Sequence, residues 1–314
     1  MILVINLNAS VDKKYKMSNL TKGCVMRANH VDNTPGGKGI HVANIITILE
    51  EECIVTGFLG GKSGEFIEEK LKDYNIKQDF LKIKADTREC IAIITDDLTQ
   101  TEILEPGPEV TFSEQNEFIE KYTELIRNSD IIVASGSTPR NVPKDFYKKL
   151  ITISNDLGKK FLLDTSGDLL REGISAKPFF IKPNKDEIET LTGRKIRSTE
   201  DAIREIKEFQ KHGIELVVIS LGSQGSIAGY KDKFYKVNIP KVDAINPVGS
   251  GDSYVGGIAV ALQRGYSIKD MLKYASACGT ANAMEEETGF VTKNVVEDLL
   301  SKISVTIIWN HNHP

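Results

Sequence analysis

The sequence predicts an α/β fold in which helices cover both faces of a mostly parallel central sheet. Short apolar runs alternate with amphipathic stretches of about 10–15 residues, the order that parallel strands and crossover helices require. The first run, Ile2–Leu7, is continuously apolar, as expected of a strand covered on both faces. Two polar, irregular, β-like segments at about 11–33 and 88–105 break this rhythm in the N-terminal half.

Apolar spacing justifies the elements of the N-terminal half in turn. A glycine-rich turn from Pro35 to Gly39 opens a helix whose apolar residues run from Ile40 to Leu49. Pro143 is expected at the first position of its helix, where no N–H is needed. The other predicted elements are strand Cys53–Phe58, helix Ser63–Tyr74, strands Cys90–Thr95 and Thr101–Glu105, helix Ser113–Arg127, strand Ile131–Ala134 and helix Pro143–Leu157.

The C-terminal half continues the alternation, and neither a repeat nor a low-complexity linker divides the chain. Residues 1–314 are therefore expected to form one domain. Its predicted elements are strands Phe161–Asp164 and Phe179–Lys182, helices Lys185–Leu191 and Thr199–His212, strand Leu216–Ser220, an antiparallel hairpin of Ser226–Tyr230 and Phe234–Asn238, helices Gly251–Arg264, Ser267–Met284 and Lys293–Ser301, and a last apolar run Val305–Trp309.

Composition excludes several classes of function. Hydrophobic residues make up 40% and charged residues 27% of the chain, and the net charge of −4 does not suit a nucleic-acid binder. The four cysteines are widely spaced, which favours free thiols over a metal or redox motif. No apolar stretch approaches the roughly 20 residues that span a bilayer, and no leader is recognisable, so a cytoplasmic location without membrane contact is expected. The His311–His313 segment is interpreted as a tail rather than a metal site.

The stretch from Asn246 to Tyr254, Asn-Pro-Val-Gly-Ser-Gly-Asp-Ser-Tyr, is a candidate anion site. Gly249 and Gly251 permit backbone angles that other residues avoid, and the chain leaves the turn as a helix. Unpaired N–H groups and the positive end of a helix dipole would then surround one point. Asp252 could take a proton from a hydroxyl there while the N–H groups hold phosphoryl charge. The alternative is that Asp252 only caps the helix.

Two common nucleotide motifs, the P-loop and the G-x-G-x-x-G turn, are absent, so any phosphate must be held by another device. The turn Gly36-Gly37-Lys38-Gly39 allows a ligand to approach the backbone closely, brings a positive charge and opens a helix. A purely structural glycine turn is the alternative. Lys182-Pro183-Asn184, followed by Glu187, is either a ligand-binding strand end or a capped helix start.

These motifs resemble those of the PfkB (ribokinase-like) carbohydrate kinases, and the resemblance covers nearly the whole chain. The matching segments are the C-terminal signature around Asp252, the Gly-Gly-Lys-Gly turn at residues 36–39, the opening Asn8-Ala9-Ser10-Val11-Asp12 with Ala9 in place of the usual proline, Ser135-Gly136-Ser137-Thr138-Pro139, and residues 182–187. The resemblance implies a ribokinase-like three-layer αβα sandwich. Segments 11–33 and 88–105 would form a small β-lid over the active site and the interface of a homodimer.

The resemblance also implies cofactors and residue roles. ATP and Mg²⁺ would be the cofactors, with Mg²⁺ bound to no side chain directly but held through water near Asn184 and Glu187. The implied catalytic residues are Asp252, Gly249, Ser250 and Gly251; the implied substrate-binding residues are Asp12, Gly36, Gly37, Lys38, His41, Arg88 and Ser137; the implied cofactor-binding residues are Lys182, Asn184, Glu187, Ser220, Gly222, Gly225 and Asn282.

Within the family, Asn8 with Asp12, Thr87-Arg88 and Thr101–Glu105 resemble the hexose-phosphate kinases, and the last two, with Cys90–Ile93, favour the tagatose-6-phosphate kinases among them. This implies ATP-dependent phosphorylation of a ketohexose monophosphate, with tagatose 6-phosphate favoured over fructose 1-phosphate. Tagatose 1-phosphate and fructose 6-phosphate stay open as acceptors. Two further functions stay open on the same fold, a non-catalytic sugar-phosphate sensor and a nucleoside kinase. One residue departs from the family: His41 stands where members usually have an asparagine that faces the sugar.

Overall fold

The computed structural model describes residues 1–97 and 99–310, the last two without their side chains. Its strands are β1 (Ile2–Asn6), β2 (Ser10–Met17), β3 (His30–Gly36), β4 (Cys53–Leu59), β5 (Lys77–Gln78), β6 (Leu81–Lys82), β7 (Arg88–Thr95), β8 (Gln100–Leu104), β9 (Ile131–Ser135), β10 (Lys160–Asp164), β11 (Phe180–Ile181), β12 (Leu216–Ser220), β13 (Ser226–Tyr230), β14 (Lys233–Asn238) and β15 (Ser304–Asn310). Its helices are α1 (Lys38–Ile48), α2 (Gly61–Asp73), α3 (Phe112–Leu125), α4 (Phe146–Asp156), α5 (Gly167–Ile174), α6 (Lys185–Thr192), α7 (Thr199–Lys211), α8 (Ser250–Gln263), α9 (Ile268–Ala283) and α10 (Lys293–Leu300). The His311–His313 segment, interpreted as a tail, lies outside the described residues.

The central sheet is 11-stranded, and its order is β15-β14-β13-β12-β11-β10-β9-β1-β4-β5, with β6 paired to β4. Neighbouring strands are parallel from β5 through β12 and antiparallel from β12 to β15. β1 lies in the middle, where Leu3 pairs with Ile54 on one side and Ile132 on the other. The predicted mostly parallel sheet is therefore confirmed.

Helices cover both faces of this sheet, which makes three layers. Alternate residues of β1 point into different cores: Ile2 and Val4 pack with residues of α1, α8 and α9, whereas Leu3 and Ile5 pack with residues of α3, α4 and α7. All four side chains are fully buried. Burial on both faces explains why the strand is continuously apolar instead of alternating.

Residues of the two polar segments form a separate 4-stranded sheet in the order β3-β2-β7-β8, which we call the lid sheet. β2 is antiparallel to β3 and parallel to β7, with Asp12 opposite Thr34 and Cys90. Only residues 7–9 separate β1 from β2. The lid sheet therefore stands directly at the carboxyl end of the central strand β1.

Two predictions about helices are wrong. α4 begins at Phe146 with Asp145 as its N-cap, and Pro143 starts the preceding turn, in which its carbonyl accepts the Phe146 N–H at 3.0 Å. α5 was not predicted, because its 8 residues contain only Leu169, Leu170 and Ile174 as apolar residues, too few to reveal a period. Among the described residues, no helix has the length and apolar character needed to cross a bilayer.

Candidate active site

The predicted site residues gather at one edge of the central sheet, where its parallel strands end. β1 ends at Asn6, β9 at Ser135, β10 at Asp164 and β12 at Ser220. Because parallel strands share one direction, their carboxyl ends meet at the same edge, the usual ligand-binding edge of such sheets. The packed helices α1 and α8 both begin there.

Residues 246–252, which we call the anion loop, lead into α8 as the sequence predicts. Gly249 is the N-cap in a left-handed conformation (φ 85°), and a Cβ there would lie 2.6 Å from the Gly289 nitrogen. Only glycine fits both constraints. Asp252 lies in the first turn of α8 and is 5% exposed. First-turn N–H groups lack intrahelical acceptors, so the loop presents donors and a carboxylate at one point.

Asn282 of α9 braces this loop from behind. Its Nδ2 donates to the Val248 carbonyl at 2.8 Å, and its Oδ1 accepts the Ser253 hydroxyl and the Gly289 N–H, each at 2.9 Å. The side chain is fully buried. These bonds use both lone pairs of Oδ1 and one of the two N–H groups, so Asn282 holds the anion loop in shape, and its predicted place beside a nucleotide stays a prediction.

Asp12 of the lid sheet lies against the glycine turn. Its carboxylate accepts the Ser10 hydroxyl at 2.6 Å and lies where a Cβ on Gly36 would stand. Burial raises the pKa of Asp12, although the nearby imidazole of His41 opposes this rise. Gly37 follows with φ 107° and would place a Cβ 2.6 Å from the Asn6 amide. The turn is therefore glycine-rich because the backbone passes between these side chains.

His41 connects the lid side of the site to the anion loop. Its Nδ1 lies 3.0 Å from Asp252 Oδ2, and its Nε2 lies 3.9 Å from Asp12 Oδ2. Burial lowers the pKa of His41, but the hydrogen bond to Asp252 and the charges of Asp252 and Asp12 outweigh it, so the pKa lies above its usual value. The predicted proton acceptor and the predicted sugar ligand thus share one imidazole.

Sequence reasoning missed Asp164, a buried carboxylate between two lysines. Its Oδ2 lies 3.7 Å from Lys38 Nζ, its Oδ1 lies 3.7 Å from Lys182 Nζ, and Oδ2 accepts the Ser135 hydroxyl at 2.9 Å. Burial raises the pKa of Asp164, but the two lysines lower it further, so the carboxyl stays ionised well into acid. An aspartate ending a buried strand at the ligand-binding edge was the signal that could have identified it.

Arg88, at the start of β7, is tied to the backbone. It donates to the Glu105 carbonyl at 2.8 Å and to the Asn8 carbonyl at 3.0 Å, while its buried Nε has no partner among the described residues. Asn8 in turn donates to the Ser137 hydroxyl at 3.0 Å. Arg88 and Ser137 therefore flank the end of β1, and these bonds use only two of the five N–H donors of the guanidinium.

Asn184 and Glu187 form a complete capping box at the start of α6. Asn184 Oδ1 accepts the Glu187 N–H and Glu187 Oε2 accepts the Asn184 N–H, both at 2.8 Å. The capped helix start expected as one of two interpretations of this motif is therefore present. Glu187 Oε1 and the second lone pair of Asn184 Oδ1 are outside this box, so both side chains retain acceptors for the water shell of a Mg²⁺ ion.

The turn after β12 completes the edge. Ser220 pairs with Asn184 in a β-bridge, which sets the ends of β11 and β12 side by side. Gly222 and Gly225 both have positive φ, 59° and 83°, and a Cβ on Gly225 would lie 2.0 Å from the Val237 carbonyl oxygen. Nearby, a Cβ on Gly251 would lie 3.4 Å from Lys182 Nζ, which places that lysine against the anion loop.

The arrangement suits phosphoryl chemistry. The Asp252 carboxylate, the N-terminus of α8 and two lysines, Lys38 and Lys182, lie at the same edge of the sheet. The site can therefore accept a proton and bind an anion at the same time. Phosphate groups would meet Lys38, Lys182 and the anion loop. A hydroxylated ligand would meet Asp12 under the lid sheet.

Comparison with known proteins gives concordant matches. The family model described as pfkB family carbohydrate kinase matches residues 3–294. A tagatose-6-phosphate kinase of Staphylococcus epidermidis is 40% identical over 311 residues, 97% of this chain and 99% of that protein. The structure of a putative phosphofructokinase from Staphylococcus aureus has a TM-score of 0.86 at 30% identity and covers 99% of this chain and 100% of its own. Phosphofructokinase-2 from Escherichia coli, in complex with potassium, has a TM-score of 0.91 at 25% identity and covers 96% of this chain and 98% of its own. The same enzyme is also known in a tetrameric inhibited form, with a TM-score of 0.89, 25% identity and the same coverage.

Proposed function

The chain belongs to the pfkB family of carbohydrate kinases, and from this premise we propose that it transfers the γ-phosphoryl group of ATP to a hydroxyl of tagatose 6-phosphate, forming the bisphosphate. As a family member it is a phosphotransferase with a ribokinase-like fold, which confirms both predictions. The observation that carries the proposal is Asp252, buried in the first turn of α8 beside the backbone N–H groups at the start of that helix.

The chemistry follows from that placement. The acceptor oxygen attacks the γ-phosphorus, its proton passes to Asp252, and the bond from that phosphorus to the β–γ bridging oxygen breaks, so that ADP leaves. The backbone N–H groups of Gly249, Ser250 and Gly251 stabilise, by hydrogen bonding, the negative charge that develops on the transferred phosphoryl group. Lys38 and Lys182 add positive charge on either side of Asp164. Positioning and electrostatics supply most of the catalysis.

On the acceptor side, we assign hydroxyl binding to Asp12 and close backbone approach to Gly36 and Gly37. The phosphate of the acceptor is assigned to Arg88, whose buried Nε is unpaired among the described residues, and to Lys38. A guanidinium suits phosphate because its donors are planar and always charged. Ser137, at the end of β9, completes this side through its bond with Asn8.

On the nucleotide side, we assign the phosphates to Lys182 and to the turn of Ser220, Gly222 and Gly225. Asn282 supports this side by holding the anion loop. When bound, Mg²⁺ would neutralise phosphate charge, and Asn184 and Glu187 are the residues that would hold it through water.

We also propose that two copies associate through the lid sheet and that the enzyme works in the cytoplasm, where ATP and sugar phosphates occur. Among the lid-sheet side chains, Val31, Ile103 and Leu104 are 44%, 55% and 63% exposed. All three lie on the outer strands β3 and β8, and an exposed apolar edge strand is a ready pairing site for another chain. A relative of this chain is described as a tetramer, which supports association in general.

One assay separates the candidate functions. ADP formation is followed with tagatose 6-phosphate, fructose 6-phosphate, fructose 1-phosphate, the free sugars and a nucleoside as acceptors. We expect the highest kcat/KM with tagatose 6-phosphate. A preference for fructose 1-phosphate would establish a 1-phosphofructokinase instead. Binding of sugar phosphate without any ADP release would establish a sensor.

A further inference from the structure

His41 occupies a position between two carboxylates that belong to different halves of the site. Its ring is 15% exposed, and it lies 3.0 Å from the Asp252 carboxylate, which is 7% exposed, and 3.9 Å from the Asp12 carboxylate, which is 35% exposed. On its remaining side the residue packs against Gly289, where a Cβ would lie 2.5 Å from His41 Cβ. The Gly289 backbone therefore closes that side of His41, where a larger residue would clash.

The identity of the partners fixes the proton on Nδ1. An ionised carboxylate is an acceptor only, so Nδ1 must donate to Asp252 Oδ2. The other oxygen of Asp252, Oδ1, is not part of this hydrogen bond. Nε2 is a bare acceptor when the ring is neutral and a second donor, directed at Asp12, when the ring is charged.

Three charged groups face the ring: Asp252 from α8, Asp12 from the lid sheet, and Lys38 from the preceding turn of α1. The Gly289 segment contributes backbone only. The two carboxylates favour the imidazolium, and Lys38 together with burial opposes it. Because the carboxylates prevail, the pKa of the ring lies above the usual histidine value.

We propose that His41 is a positioning residue that orients Asp252 for proton abstraction and that its neutral form is the active one. The proposal rests on the proposed function, because it assigns the base of that reaction to Asp252. When the ring is neutral, its Nδ1–H holds Asp252 in place and Asp12 is left to bind the sugar. When the ring is charged, it attracts both carboxylates, opposes proton uptake by Asp252 and competes with the sugar for Asp12.

Two substitutions separate orientation from charge. His41→Asn puts an amide donor where the imidazole has Nδ1 but cannot titrate, whereas His41→Leu has a similar volume and no donor. We expect His41→Leu to lower kcat by about 10- to 150-fold, the effect of losing a hydrogen bond to a charged group, with KM for MgATP unchanged. We expect His41→Asn to recover most of that loss.

The pH profile gives the second readout. In the parent, kcat with saturating tagatose 6-phosphate and MgATP should fall as pH is lowered through the raised pKa of His41. In His41→Asn this fall should disappear, while the contribution of the acceptor's phosphate, with a second pKa near 6, is common to both proteins. Superimposable profiles, or a His41→Leu enzyme with parental kcat, would overturn the proposal.

A measurement without turnover distinguishes failure of this inference from failure of the proposed function. The imidazole NMR signals of His41, identified by their loss in His41→Asn, are titrated in the parent and in Asp252→Asn. We expect the His41 pKa to fall by about one unit or more in Asp252→Asn, because a carboxylate acceptor is replaced by a neutral amide. An unchanged pKa would show that Asp252 does not hold the ring. If no sugar phosphate is turned over, the proposed function fails and this titration still decides the His41–Asp252 contact.

Discussion

Gly36 faces Asp12 so closely that a Cβ on Gly36 would lie 2.1–2.2 Å from the three carboxyl atoms of Asp12. The two residues lie diagonally across neighbouring strands of the lid sheet, since Gly36 pairs with Ser10. Ser10 at the same time donates to Asp12, which fixes the carboxylate over the glycine. The backbone of the glycine turn and the proposed sugar ligand thus determine each other's position.

Gly36→Ala should therefore displace the Asp12 carboxylate. We expect KM for tagatose 6-phosphate to rise by about tenfold or more, the effect of losing a hydrogen bond made by a charged group, with little change in KM for MgATP. Steady-state kinetics with each substrate varied in turn measure this. Gly158→Ala is the control for lost stability alone, because a Cβ there meets nothing within 4 Å, the φ of 66° strains an alanine, and the turn is remote from the site. Equal increases for both substrates would contradict the role given to Asp12.

The sequence allowed prediction of what depends on neighbours along the chain. The glycine turns, the capping box of Asn184 and Glu187 and the apolar strands all follow from local patterns. The start of α4 was wrong because a proline suits a turn as well as a first helical position.

What the sequence could not supply are the contacts between distant residues. His41 and Asp252 are 211 positions apart. Asp164 contacts Lys38 and Lys182 only because the fold places the ends of β10 and β11 beside the start of α1. Neither pairing leaves a periodic signal. The departure at His41 was visible as an unusual residue, but its partner was not.

Asp252→Asn should abolish most turnover while the fold and nucleotide binding persist. The amide keeps the shape and the His41 contact but takes up no proton, and general-base catalysis contributes about 10²–10⁴-fold. We expect kcat to fall by that factor and the Kd for MgATP to stay within about threefold. Asp270→Asn is a matched control, since Asp270 also lies in the first turn of a helix, α9, but is exposed. A kcat close to the parental value would remove Asp252 from the mechanism.

Arg88→Ala should weaken binding of the acceptor's phosphate more than binding of ATP. The lost charged hydrogen bond predicts an increase in KM of about 10- to 150-fold for tagatose 6-phosphate. Because Arg88 also ties the Asn8 and Glu105 carbonyls together, thermal stability should fall as well. Unphosphorylated tagatose separates the loss of phosphate binding from the loss of stability. If Arg88 binds the phosphate, the KM for the unphosphorylated sugar should not change in Arg88→Ala. A parallel loss for the phosphorylated and the free sugar would leave Arg88 with a structural role alone.

Binding of the acceptor should order the lid sheet. Lys16 reaches the Glu286 carboxylate at 3.4 Å and Lys14 reaches the Glu286 carbonyl at 3.4 Å, so exposed hydrogen bonds join the lid to the segment that packs on His41. Such contacts are weak and screened by salt. We expect hydrogen exchange at residues 11–33, 88–97 and 99–105 to slow when tagatose 6-phosphate is added. The remote β13–β14 hairpin serves as the internal control. Unchanged exchange in the lid sheet at proven saturation would count against closure.

Asp164→Asn tests the carboxylate between the two lysines. The isosteric amide can still accept the Ser135 hydroxyl, but Lys38 and Lys182 lose the negative charge between them. Removing one partner of a buried ion pair costs about 3–5 kcal/mol of unfolding free energy, and we expect the lower end because Lys38 is 47% exposed. The melting temperature at pH 7 should fall accordingly, and kcat should fall with it if the lysines move.

The pH dependence of this difference identifies its cause. The folded-state pKa of Asp164 lies below the ordinary 3.8, so its ionised form stabilises the fold at every pH above that value. As pH falls from 3.8 towards the lower folded pKa, the carboxyl becomes protonated and the parent loses this advantage. The gap in melting temperature between parent and Asp164→Asn should therefore be constant from pH 7 to about 5 and shrink below pH 4. Asp168→Asn is the control, because Asp168 forms an exposed pair with Arg171 and should change stability little at any pH. A gap for Asp164→Asn that persists undiminished at low pH would mean that packing, and not charge, stabilises the fold at this position.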